Sequence, residues 1–167
     1  MSNKRFSPII VLVMVGALAL VSLSFLTFLV HAQSGKIPVI LVHGYLEDAR
    51  IWSTWEELLT ADDIPFQSVT FTANDKCGST LEHASELREI VQNILSSSGS
   101  EKVNIVAHSK GGLDSRVFLA SGTDDVANLI MIGTPNLGMP LSVYSNICAP
   151  AVWDLRPGAN AQSAPRC

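Results

Sequence analysis

The sequence has little of several features that mark whole classes of protein. Only 11 of its 167 residues are Lys or Arg, against 15 Asp or Glu, so the formal net charge is −4. A chain without a basic excess gives no electrostatic reason to expect a nucleic-acid partner. It contains no internal repeat, and its length suits one ordinary domain.

Cysteine is also scarce, with Cys77, Cys148 and Cys167 as its three occurrences. The chain contains no CxxC pair and no His/Cys cluster, so the sequence predicts no metal site. An odd number of cysteines leaves at least one thiol without a partner in the chain. A Cys77–Cys148 disulfide and unpaired thiols both stay open.

The longest uncharged run lies near the N-terminus, where Lys4 and Arg5 precede the twenty-two residues from Ile9 to Val30. At about 1.5 Å per helical residue, this run can cross a bilayer core of roughly 30 Å. Val30-His31-Ala32 also fits a signal-peptide cleavage site. We therefore predict a signal peptide or N-terminal transmembrane anchor over 1–32. Either one predicts export, with the domain anchored facing outside or secreted.

Strand and helix patterns alternate after a short polar linker at 33–36. Apolar, β-branched runs predict strands over 37–44, 64–72, 101–108 and 126–135. Apolar residues at helical spacing predict helices over 47–63, 78–100 and 111–121. Ser79 and Glu82 have the spacing of a capping box. This alternation predicts an α/β fold, with a parallel sheet covered by helices on both faces.

The predicted core covers 37–138, and the composition changes after it. Residues 139–167 are rich in Pro, Ala, Asn and Ser and show no periodicity. We predict an irregular tail or the start of a lid region there.

Ala107-His108-Ser109-Lys110-Gly111 follows the G-x-S-x-G pattern, with alanine in its first position. The serine falls between a predicted strand and a predicted helix, which is the arrangement that a nucleophile elbow requires. Small residues are needed at both ends of this motif because strand and helix crowd each other there. The pattern predicts that Ser109 is a nucleophile beside a helix N-terminus that favours negative charge.

His43-Gly44-Tyr45 follows the first predicted strand, where hydrolases with this elbow build half of an oxyanion hole. The backbone N–H groups of Tyr45 and Lys110 are the predicted oxyanion donors. His43 and Gly44 are predicted to support the loop. The alternative is that His43 and Gly44 form only a turn at the end of the strand, in which the His43 imidazole is packed.

Three segments, IPVILVHGY, VNIVAHSKGGLDSRVFLA and VANLIMIGTPNLG, resemble the α/β-hydrolase lipases and esterases. The resemblance is strongest to small bacterial-type triacylglycerol lipases, and it spans 37–138. It implies an α/β-hydrolase fold and hydrolysis of triacylglycerol or other carboxylic esters through an acyl-enzyme on Ser109. It implies a lipid or small ester substrate and no cofactor. Lys110 stands where this family often has an apolar residue, which places a charge near the acyl pocket.

The sequence lacks a histidine after Ser109, although the family order is serine, acid, histidine. The four histidines are His31, His43, His83 and His108. His83 is predicted to be a surface residue, and strand alternation directs His108 away from Ser109. We therefore expect the acid and base beyond Cys167, with the last strands of the sheet missing from this chain.

Two other functions fit the same residues. A non-catalytic, membrane-tethered pseudo-hydrolase could keep the elbow while binding lipid or a partner. An amidase or thioesterase of the same fold would use the same nucleophile, and only a substrate panel separates these activities.

Overall fold

The computed structural model describes residues 35–72, 78–140 and 149–158. The predicted leader over 1–32 and all three cysteines lie outside these ranges, so the predictions about them stay predictions. None of the helices within these ranges is long and apolar enough to span a membrane.

Four parallel strands form the sheet of the described residues, in the order β2-β1-β3-β4. They are β1 (Val39–Val42), β2 (Phe66–Ser68), β3 (Val103–His108) and β4 (Val126–Ile132). Each lies inside a segment that the sequence predicts as a strand. The prediction of a parallel α/β sheet is confirmed.

Helices follow the strands in the predicted alternation. They are a 3-10 turn (Ala49–Trp52), α1 (Ser53–Ala61), α2 (Thr80–Ser98), α3 (Lys110–Ala120) and α4 (Ala149–Asp154). The predicted capping box begins α2, because the Ser79 side chain accepts from the Glu82 N–H while Glu82 accepts from the Ser79 N–H.

Apolar side chains pack on both faces of the sheet, as the sequence predicts. On one face, residues from β1 and β3 contact α2 and α3: Ile40, Val42, Ile105, Ala107, Leu87, Val91 and Phe118. On the other face, the alternate strand residues contact the 3-10 turn, α1 and the start of β2: Val39, Leu41, Val106, Trp52, Leu59 and Phe66. Burying each such aliphatic or aromatic side chain contributes about 1.5–3 kcal/mol, so the two layers hold β1 and β3 rigidly at the centre.

The 3-10 turn changes which residues of this segment are buried against the sheet. Sequence spacing predicts one stripe through Ile51, Trp55, Leu58 and Leu59, but Leu58 is 61% exposed. Trp52 is instead 3% exposed and packs against β1 and β3. A 3-10 turn has about three residues per turn, so it rotates the following helix out of the phase that 3.6-residue spacing predicts.

The segment predicted as an irregular tail or the start of a lid region contains the short helix α4. This short helix, with the residue after it, buries Ala151, Val152 and Leu155. Six residues are too few to show a helical period in the sequence. α4 also carries Asp154, whose Oδ2 accepts a hydrogen bond from the Thr80 N–H at 2.7 Å.

Replacing Asp154 with asparagine is expected to raise the Tm at pH 7. Burial raises the pKa of Asp154 above its ordinary value of 3.8, against the opposing effect of the Thr80 hydrogen bond. The contribution of the neutral carboxyl to the free energy of unfolding is therefore fully present below pH 3.8. It is lost as the pH rises through the raised pKa of Asp154. Asparagine keeps an acceptor for the Thr80 N–H and does not ionise, so the variant avoids the loss of stability at pH 7. At acidic pH, where the wild-type carboxyl is neutral, the two proteins should have the same Tm.

Thermal unfolding between about pH 3.5 and 8 measures this difference. Asp124→Asn, which removes an exposed carboxylate, controls for the change in net charge. A lower Tm for Asp154→Asn at pH 7 would show that the charge at this helix end stabilises the fold.

Candidate active site

The backbone at Ser109 is strained where β3 passes into α3. Its φ and ψ are 52° and −123°, a region that residues other than glycine rarely adopt. Such a conformation costs about 1–3 kcal/mol and persists only where the surroundings impose it. The Ser109 N–H donates to Ile132 O at 2.9 Å, and Ser109 O accepts from the Gly112 N–H at 3.1 Å. The neighbouring strand and the first turn of α3 thus hold the elbow.

Two glycines allow close approach around this turn. A Cβ built on Gly111 would lie 2.3 Å from the backbone oxygen of His43, and one built on Gly44 would lie 2.7 Å from Ser109 Cβ. Ala107, at the other end of the motif, is fully buried. The loop after β1 and the elbow therefore touch, and neither glycine position has room for a side chain.

The His43-Gly44-Tyr45 loop is held by a carboxylate that the sequence analysis missed. Glu47 Oε2 accepts from the Gly44 N–H at 2.8 Å and lies 2.7 Å from His108 Nδ1. Glu47 thereby joins the loop after β1 to the residue before Ser109. Glu47 and His108 are 61 positions apart, and no sequence pattern links them.

His43 and Tyr45 lie at the two ends of this loop. The His43 ring is buried, and its Nδ1 lies 2.8 Å from Gly44 O. Tyr45 is half-buried in the turn that follows. The structure thus brings the predicted oxyanion loop and the predicted nucleophile together at the carboxyl ends of β1 and β3.

The prediction that His83 is a surface residue is wrong. His83 is 2% exposed, because α2 packs this side chain towards α3 and against Phe71, with ring centroids 4.1 Å apart. Within the described ranges, no histidine is hydrogen-bonded to Ser109 Oγ.

The Lys110 side chain is buried in an ion pair. The side chain is 2% exposed, and its Nζ lies 2.7 Å from Asp114 Oδ1. Asp114 Oδ2 lies 3.0 Å from His83 Nδ1, on α2. The expected charge near the acyl pocket is thus neutralised inside the protein. The i,i+4 spacing of Lys110 and Asp114 is a sequence signal for this pair, but nothing in the sequence shows that α2 covers it.

The part of the chain that the structure describes has no group of three or more His, Cys, Asp or Glu residues placed to hold a metal ion.

Comparison with known proteins gives one consistent result. A family model for the alpha/beta hydrolase fold matches residues 37–147. Triacylglycerol lipases of Pseudarthrobacter phenanthrenivorans and Burkholderia plantarii are each 28% identical over 109 residues, which is 62% of this chain and 34% and 30% of theirs.

Solved lipase structures share the fold. The crystal structure of Bacillus licheniformis lipase BlEst2 in mature form has a TM-score of 0.66 at 22% identity, over 81% of this chain and 63% of that one. Aspergillus fumigatus lipase B has a TM-score of 0.64 at 21% identity, over 78% and 33%. The chain spans about a third of the length of the curated relatives it matches.

Proposed function

Because this chain belongs to the α/β-hydrolase fold family, we propose that it is a lipase-like serine hydrolase of carboxylic esters. The observation that carries the proposal is the strained Ser109 backbone at the β3–α3 junction. Strain of this kind clusters at active sites, and a nucleophile elbow needs it to expose the hydroxyl. The matched triacylglycerol lipases support esters as the substrate class.

In the proposed reaction, a base removes the Ser109 Oγ proton as the oxygen attacks the ester carbonyl. The backbone N–H groups of Lys110 and Tyr45 stabilise the negative carbonyl oxygen of the intermediate. One such donor is worth about 2.7–4 kcal/mol of barrier. Lys110 is the first residue of α3, whose first N–H groups have no partner within the helix. The intermediate then expels the alcohol, which takes the proton, and water hydrolyses the acyl-enzyme.

The acid and base that complete this reaction belong to the proposal and are expected beyond Cys167. The intact mass of the native protein tests that expectation, because a longer chain would exceed 17.9 kDa. The proposal also keeps export, which cell fractionation tests.

Fluorophosphonate labelling of the full native chain is the direct test of the nucleophile. We expect one equivalent of label, mapped by peptide mass spectrometry to Ser109, and no label on the heat-denatured protein. A natively folded protein without label would refute the proposal. A panel of matched ester, thioester and amide substrates then separates an esterase from a thioesterase or amidase.

The second candidate is a membrane-tethered pseudo-hydrolase that binds lipid or a partner without turnover. It is favoured by one observation, that no histidine in the described ranges is hydrogen-bonded to Ser109 Oγ. It predicts equal, background rates of ester hydrolysis for the native chain and its Ser109→Ala variant.

A further inference from the structure

Lys110, Asp114 and His83 form a buried polar cluster between α3 and α2. All three residues are at most 2% exposed, although Lys and Asp are almost never fully buried unless they are paired. Lys110 Nζ lies 2.7 Å from Asp114 Oδ1 and 3.3 Å from His83 Nδ1. His83 Nδ1 lies 3.0 Å from Asp114 Oδ2.

The chemistry of these groups limits which of them can donate and which can accept. An ionised carboxylate only accepts, and Lys110 only donates. His83 Nδ1 lies within hydrogen-bond distance of both groups, so it donates to Asp114 when it carries a proton and accepts from Lys110 when it does not. The cluster ties the first turn of α3 to α2.

Stability alone is a poor reason for such a cluster. Replacing a buried ion pair with apolar residues of similar volume is often neutral or stabilising, because burial removes both charges from water. The position of the cluster is more informative, since Lys110 is the residue directly after Ser109. The N–H of this same residue is a proposed oxyanion donor.

We propose that the buried Lys110–Asp114–His83 cluster positions the Lys110 N–H for the oxyanion. The far end of the Lys110 side chain is held by Asp114, and His83 on α2 contacts both groups, which restricts rotation of the first peptide of α3. Gly111 packs on the loop after β1 from the other side. The strained elbow is thereby held between the sheet and α2. Lys110 and Asp114 act here through their side chains as positioning residues, and this inference rests on the proposed ester hydrolysis.

The double variant Lys110→Met/Asp114→Asn tests the inference. It removes both charges together, and the introduced asparagine side chain still offers an acceptor to His83, so no lone buried charge is left. Losing an oxyanion donor costs about 10²–10³-fold in kcat, and loosening one should cost less. We expect about a 10-fold loss in kcat per site titrated by fluorophosphonate. KM should be unchanged, because the contact forms only in the transition state.

The number of sites that fluorophosphonate titrates separates a lower kcat per site from misfolding. A purely structural role would reduce the number of titrated sites and leave kcat per site at the wild-type value. Lys110→Gln, which keeps an N–H donor for Asp114, should lose less kcat per site than the double variant. This single variant also tests the inference if the double variant fails to fold.

Gln92→Met/Asp125→Asn is the matched control. It removes another hydrogen bond from α2, 2.8 Å long and near the other end of that helix, and should leave kcat per site unchanged. The inference is overturned if kcat per site of the folded double variant equals that of wild type, or, where the double variant does not fold, if kcat per site of Lys110→Gln equals that of wild type. Failure of the wild-type protein to accept any label would instead refute the proposed function.

Discussion

Replacing Ser109 with alanine is expected to lower kcat/KM for ester hydrolysis at least about 10³-fold. The hydroxyl is the proposed nucleophile, and alanine at this position has no group that can form an acyl-enzyme. A residual rate above the background in water is expected, because the oxyanion donors and substrate binding stay in place. Initial rates with a chromogenic short-chain ester, per mole of folded protein, measure the effect.

Stability separates loss of the nucleophile from loss of the fold. Alanine inherits the backbone strain of Ser109, so Ser109→Ala should unfold at the same denaturant concentration as wild type. Ser109→Gly should be equally inactive but more stable than Ser109→Ala, because glycine adopts a positive φ without steric cost. If Ser109→Ala kept wild-type turnover, catalysis at this elbow would be excluded.

The sequence predicts the parts of this structure that have a short period or a local motif. β1 reads as a continuous apolar run and β3 is interrupted by Asn104 and ends in His108, because both faces of a central parallel strand are largely buried. The start of α2 follows from Ser79 and Glu82, whose side chains satisfy N–H groups within one turn. The junction at Ser109 is visible because the motif requires a strand before it and a helix after it.

Contacts between distant segments are not visible in the sequence. His83 is polar and lies on an amphipathic helix, so its residue type favours the surface. It is buried because Asp114, on another helix, supplies a partner. Glu47 likewise reads as a solvent-exposed charge until the fold brings it to Gly44 and His108. α4 is too short to show a helical period of apolar residues, and its formation depends on how it packs in the fold.

Glu47 and Asp114 play similar parts at two different places. Glu47 bonds to the loop that leads to Tyr45, and Asp114 bonds to the side chain of Lys110. Each therefore supports a residue whose N–H is a proposed oxyanion donor. A preorganised donor needs such support, because small displacements weaken its hydrogen bond to the developing charge.

The same preorganisation makes Gly111 intolerant of substitution, and Gly111→Ala is expected to destabilise the fold by about 3 kcal/mol. Alanine in an open helix position would instead stabilise by up to about 1 kcal/mol relative to glycine. Here its Cβ would lie 2.3 Å from His43 O and 2.9 Å from Val42 O. Both are backbone atoms of the central layer, so neither moves without displacing β1 or the loop after it. Urea unfolding measures the loss.

Gly112→Ala is the matched comparison, one residue along the same helix. Its Cβ would meet the side chain of Thr134, with Oγ1 2.0 Å away. A second substitution, Thr134→Gly, removes that obstacle and should restore most of the stability that Gly112→Ala loses. No side-chain substitution can relieve Gly111→Ala in this way, because its obstacle is backbone. A Gly111→Ala protein that unfolds at the wild-type urea concentration would show that the elbow and the loop after β1 can separate, so that the proposed oxyanion donors are not held rigidly.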